Sequence, residues 1–179
     1  MRKNAFLAMI LICGSFLAAQ TAPPEPEFDN VFTALVDGKL VPIEKQNATL
    51  HAGGGGFIVA GAKASYIING EKSPVRFSSS QAVEFVVRTP LAATNADPST
   101  LFSLHRLETK KKNRELQFMS GHFSPVGGSF STNQSQNLVP VTFSKYGSGS
   151  IKIKADKLPP GEYALSYISP QVVYCFGID

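Results

Sequence analysis

The densest charge in the chain lies in "LETKKKNRE", where Lys110, Lys111, Lys112 and Arg114 stand within five positions. Cations this close can hold an anionic envelope polymer or a phospholipid surface through their summed field. These four are the candidate binding residues. The same stretch also reads as a β-hairpin tip, where lysines keep a turn soluble and discourage pairing with other sheet edges. Nucleic acid is not an expected partner. No aromatic side chain interleaves the charges to give unpaired bases a stacking surface.

The other residues able to do chemistry are dispersed. His51, His105 and His122 lack the close pairing that a metal site uses. A hairpin with Thr109 opposite Arg114 would set His105 against Phe118 and His122 against Leu101, too far apart to share an ion. No metal site and no cofactor are expected. No G-x-S-x-G elbow presents a serine nucleophile, and "GSGSI" at 147–151 reads as a turn between two strands. Cys175 sits in the apolar run "VVYCFGI", where burial raises a thiol pKa and makes it inert. Nothing singles out two of the 13 acidic residues as a glycosidase pair. No catalytic residue is assigned. The tetraglycine of "TLHAGGGGFIVAG" resembles a phosphate cradle only at first sight. Neither a helix nor a Gly-Lys-Ser/Thr follows it, so it reads as a bend.

The elements that must position these residues begin after the N-terminus. Arg2 and Lys3 precede an apolar run from Ala5 to Leu17 and the small residues Ala18 and Ala19. That order is a secretory signal peptide over residues 1–19, cleaved near Ala19 and removed. Ile12 before Cys13 is not the small residue that a lipidated cysteine requires. Removing Arg2 and Lys3 from the 17 basic residues leaves 15 against 13 acidic ones, a net charge of +2. The exported chain keeps Cys175 alone, so it has no intramolecular disulfide. Residues 20–28, around "TAPPEPEF", read as a proline-rich tether. Residues 29–179 then form a single domain.

That domain reads as all-β. Asp37-Gly38 between two apolar runs is a type I′ hairpin signal, and Pro42 in the second arm suits an edge strand. In "AVEFVVR", Val83, Phe85 and Val87 share one face; in "SIKIKA", Ile151 and Ile153 alternate with lysines. No segment holds a helical period for ten residues. Short strands punctuated by turns predict an antiparallel Ig-like or related β-sandwich of about 8–10 strands. "KLPPGEY" adds the L-x-P-G-x-Y corner of many Ig-like, fibronectin type III and transthyretin-like modules. There Tyr163 should bond back to the upstream backbone.

From "GEKSPVRF" through "EFVVR" and "LPPGEYALSY" to the terminal "YCFGID", the chain resembles a group of exported, uncharacterised bacterial proteins that end in a P-G-E-Y-A strand and an F-G-I/V-D terminus. The resemblance covers residues 70–179 and implies export and an all-β fold, with no activity attached. The expected function is a non-catalytic binding or accessory module of the bacterial envelope, periplasmic or secreted and not membrane-spanning once processed. An anionic envelope polymer or a protein is its expected partner. Alternatives are a hydrolase of envelope polysaccharide or peptide, and a subunit that lends an edge strand to a surface assembly.

Overall fold

Asp37-Gly38 reverses the chain as those residue types allow. In a computed structural model, which describes residues 22–54, 60–124, 127–132 and 137–179, they take φ of 49° and 75°, the two positive values of a type I′ turn. The expected signal peptide over residues 1–19 and its cleavage point lie outside the described residues.

In chain order the strands are β1 (Phe32–Val36), β2 (Lys39–Pro42), β3 (Glu44–Asn47), β4 (Thr49–Gly54), β5 (Ala60–Asn69), β6 (Arg76–Phe77), β7 (Val83–Arg88), β8 (Phe102–Thr109), β9 (Asn113–Ser124), β10 (Gly127–Thr132), β11 (Leu138–Val139), β12 (Thr142–Tyr146), β13 (Ser150–Ala155), β14 (Gly161–Tyr167) and β15 (Ser169–Ile178). They form two sheets. The smaller runs β12-β13-β7-β1-β2, and the larger runs β3-β15-β14-β8-β9-β5-β4 with β10, β11 and β6 attached at its sides. Only β6, against β15, pairs in parallel among the described strands. The fold is all-β, antiparallel and sandwich-like. Its fifteen described strands exceed the expected 8–10. The excess comes partly from the two-residue strands β6 and β11, and partly from Ile43, a buried residue at which the chain leaves the smaller sheet and enters the larger. Pro42 lies on an edge strand, where its missing N–H breaks no ladder.

Alternation decides what lies between the sheets. Val83, Phe85 and Val87 of β7 and Ile151 and Ile153 of β13 pack against Leu104, Leu165 and Phe176 of the larger sheet. Each such side chain contributes about 1.5–3 kcal/mol on burial. Tyr163 turns the corner as expected: its hydroxyl donates to the Pro159 carbonyl at 2.7 Å, and its ring stacks on Phe176 at 5.6 Å.

The larger sheet also curls over itself. Ile68 of β5 and Leu116 of β9 meet Ala164, Val173 and Cys175 of β14 and β15 in a second buried cluster, on the side away from the main core. Strands so far apart in the sheet order touch only across a rolled sheet. This half-barrel explains one departure from the sequence reading. Thr109 does pair with Arg114, and Glu108 with Glu115, but there β9 parts from β8 and continues along β5. His105 therefore faces Ala164 and Leu138 rather than Phe118.

Two further expectations change. Gly53 and Gly54 continue β4, paired with Lys63 and Ala62, and the reversal that follows lies outside the described residues. The proline-rich stretch is not a free tether over its described part. The Glu25 carboxylate is bonded to the turn between β12 and β13, and Pro26 is buried.

Candidate functional site

The start of β9 at Asn113 splits the four candidate cations. Lys110, Lys111 and Lys112 are exposed in the turn between β8 and β9, closed by a bond from the Lys110 N–H to the Asn113 carbonyl at 2.8 Å. Lys110 Nζ lies 2.9 Å from Glu108 Oε2, and Glu108 stands opposite Glu115. Three lysines against two glutamates leave the tip a net charge of only +1. Arg114 is not part of this surface. It points into the half-barrel, its side chain 0% exposed, and grips Glu44 through two bonds of 2.8 and 3.0 Å. Two more of its five N–H groups, on Nε and Nη2, reach the Gly70 and Asn69 carbonyls at 3.0 and 2.9 Å. A guanidinium can be buried only when its planar fork is this fully satisfied.

Arg114 belongs to a structural cluster. Its Nη1 lies 3.6 Å from Glu162 Oε2, and Glu162 accepts from the Ser73 N–H at 2.8 Å and from Arg76. Arg76 also donates to Asp179 and to the Ile178 carbonyl at 3.1 Å. Burial pushes the Glu44 carboxyl up, but hydrogen bonds from Arg114 and Gln46 overcome it and hold the group below its ordinary range. Hydrogen bonding to Arg76 lowers Asp179 in the same way. A Cβ on Gly177 would collide with the Arg76 guanidinium, so glycine is needed there for close approach. The "PVRF", "PGEY" and "FGID" stretches, distant in sequence, thus meet at one ion-pair cluster.

Two reactive side chains lie in or beside the curl. Cys175 is buried, and desolvation pushes its thiol up to about 12, leaving it protonated and unreactive. His105 Nε2 is 2.8 Å from Ser103 Oγ, which is 3.0 Å from Ser166 Oγ. Burial lowers the His105 pKa, so the ring stays neutral. A serine–histidine pair becomes catalytic when a third group orients the imidazole. Here the buried Nδ1 has no hydrogen-bond partner among the described residues. The described residues hold no group of three or more histidine, cysteine or acidic side chains placed to bind a metal ion.

A wide recess lies beside the β14–β15 turn. It is a cleft of ≈ 470 Å³ between the approach to β1, the β14–β15 turn and the paired strands β3 and β15. Asn30, Lys45, Tyr167, Ile168, Gln171 and Tyr174 are among its walls. Two of these hold left-handed backbone: Asn30 at φ 60° and Ile168 at φ 52°. Asparagine accepts that region, but a β-branched isoleucine is strained there. The strain is held by the Ile168 N–H bonding to the Leu101 carbonyl at 2.7 Å, while the Asn30 N–H bonds to the Arg88 carbonyl at 2.8 Å. The consequence is chemical. Ile168 is 67% exposed at the rim, and Asn30 Oδ1 is buried with no hydrogen-bond partner among the described residues. Lys45 Nζ stands 5.8 Å from the centre of the Tyr174 ring. An apolar rim, an exposed lysine over an aromatic ring and a residue with a buried acceptor unpartnered among the described residues thus meet at this cleft.

Sequence reasoning missed this cleft. Its signal, "DN" before β1 and "YISPQ" between two strands, looks like ordinary turn chemistry, and strain at Ile168 is not written in residue type. The described residues form an all-β, sandwich-like fold with an open cleft between its β14–β15 turn and the approach to β1. No helix among the described residues is long and apolar enough to cross a membrane. Comparison with family models, curated proteins and solved structures found no significant match.

Proposed function

We propose that the protein is an exported, non-catalytic binding module of the bacterial envelope and that the cleft beside Asn30 receives its ligand. The observation that carries this reading is that Asn30, a residue lining the cleft, holds a buried Oδ1 with no hydrogen-bond partner among the described residues. Leaving such a group unsatisfied costs about 1–3 kcal/mol, which a ligand donor would recover once the side chain turns toward the cleft. The export half of the reading rests on the residue order of 1–19, and the Ig-like assignment on the Leu158-to-Tyr163 corner. Against the hydrolase alternative, Asp29 is the single carboxylate among the lining residues, whereas glycosidases work with two.

The test is an NMR titration with neutral and anionic fragments of envelope polysaccharide and peptide. Binding should shift the Asn30, Lys45 and Gln171 signals, and Asn30→Ala should weaken it at least fivefold, the factor supplied by about 1 kcal/mol. Shifts confined to Lys111 and Lys112, abolished by salt, would move the function to the basic tip and an anionic polymer. Export is tested by mass spectrometry. A free N-terminus near Gln20 or Thr21 supports it, and a diacylated Cys13 would make the protein membrane-anchored instead.

A further inference from the structure

The turn between β12 and β13 is built around a carboxylate. Its sequence, "YGSGS", supplies four donors to Glu25. The Ser148 N–H and hydroxyl reach Oε1 at 2.8 and 3.0 Å; the Gly149 N–H and Ser150 hydroxyl reach Oε2 at 2.9 and 2.6 Å. Successive N–H groups aimed at one point form an anion-binding concavity. The glycine that makes it possible is Gly147, at φ 59°, where a Cβ would run into the Glu25 carboxylate. Arg88 adds positive charge beside the turn; it lies 3.8 Å from Asp29 and donates to the Pro26 carbonyl at 3.4 Å. The site therefore holds a glutamate side chain and, next to it, the buried proline that follows.

The β-sandwich has no need of this arrangement at the edge of its smaller sheet. The hairpin already closes through the Tyr146–Ser150 pair, and all four donors could be satisfied by water at a surface turn. What the turn adds is complementarity to one ligand chemistry, the carboxylate of an acidic residue followed by proline. The occupant is held by geometry that any such segment could use, because the hydrogen bonds fall on the carboxylate and on the Pro26 carbonyl, and the remaining contact is burial of the proline ring. Glu25 is only partly buried, so the site opens to solvent.

We propose that the 146–150 turn is a receptor for an acidic peptide carrying a Glu-Pro pair, and that Glu25-Pro26 is its resident occupant, closing the site in the resting chain. The two states differ only in which chain supplies the carboxylate. An occupant on the same chain acts at a millimolar effective concentration, so an external peptide competes poorly until the resident is removed.

The experiment uses a synthetic peptide of residues 22–28, Ala-Pro-Pro-Glu-Pro-Glu-Phe, acetylated and amidated at its ends. It is added to wild type, to Glu25→Ala and to Glu25→Gln, with the Ser148 and Gly149 amide signals followed by NMR. Both variants should show saturable shifts of these two amides, and wild type should bind at least ~10-fold more weakly. A peptide with glutamine at the first glutamate should not bind. Glu25→Gln keeps the side chain's volume and serves if Glu25→Ala is not folded, as judged by the Ile151 and Ile153 signals. Unmoved Ser148 and Gly149 amides in a folded variant would overturn the proposal. So would equal binding to wild type, or equal binding of the glutamine peptide. None of these readouts depends on the Asn30 cleft, so the two proposals fail separately.

Discussion

Arg114 and the three lysines just before it carry the same charge and have opposite fates. The lysines end in water at the β8–β9 turn, one of them tied to Glu108. Two residues after Lys112, Arg114 is sealed inside the half-barrel against Glu44, a partner 70 positions away in sequence. The start of β9 makes the difference. The lysines fall in the turn before it, whereas Arg114 lies within β9 on the face that looks into the rolled sheet. Charge density in the sequence therefore overstates the basic tip and hides the buried ion pair.

The contrast yields predictions of graded size. Removing Arg114 should be the most damaging. Arg114→Met leaves Glu44 without its cation and Glu162 with Arg76 alone, and should cost about 3–5 kcal/mol, read from the urea midpoint. A loss below 1 kcal/mol would place Arg114 with the solvated lysines. Gly177→Ala comes next, since the added methyl displaces Arg76 from the same cluster; about 1–3 kcal/mol is expected. Adding Arg76→Met to that variant should not double the loss, because both changes act on one contact.

A neutral hydrogen bond provides the ruler between these extremes. Tyr163→Phe removes the bond to Pro159 and should cost about 1 kcal/mol. Glu25 is an intermediate case, a partly exposed charge with built partners. Its carboxyl is held down at about 2, chiefly by the Ser150 hydroxyl and then the Ser148 N–H, from an ordinary 4.5. A depressed folded-state pKa means the contribution is present above 4.5 and lost as pH falls toward 2. The stability difference between wild type and Glu25→Gln should therefore shrink across that window, with Arg88 and Asp29 the charged neighbours that modulate it. Smallest of all, glutamine at Lys110, Lys111 and Lys112 should change stability by no more than about 0.5 kcal/mol each. Any binding they mediate should fade with salt.

Local patterns were read correctly wherever the physics is local. The Asp37-Gly38 turn, the edge position of Pro42, the inward faces of β7 and β13, the Tyr163 corner and the Thr109–Arg114 pairing all follow from a residue's own φ preference or from alternation over a few positions. Errors began where a side chain's partner lies far along the chain. Glu25 looked like part of a soluble tether because its donors, Ser148 to Ser150, come more than 120 positions later. A hairpin's sequence does not say where its arms will separate, so His105 pairs with Ala164 and Leu138 and not with Phe118.

The sequence by itself determined that the chain is all-β, where several of its turns fall, and that its lone cysteine after residue 19 lies in an apolar strand. Those properties come from backbone preference and side-chain periodicity, which act within one or two turns of chain. The tertiary structure decided that the larger sheet rolls into a half-barrel, that Arg114 is a buried structural cation rather than a surface one, and that Asn30 and Ile168 meet at a cleft. Each of those depends on which distant strands become neighbours. Burial, hydrogen-bond satisfaction and backbone strain are properties of that arrangement and not of the residues taken singly.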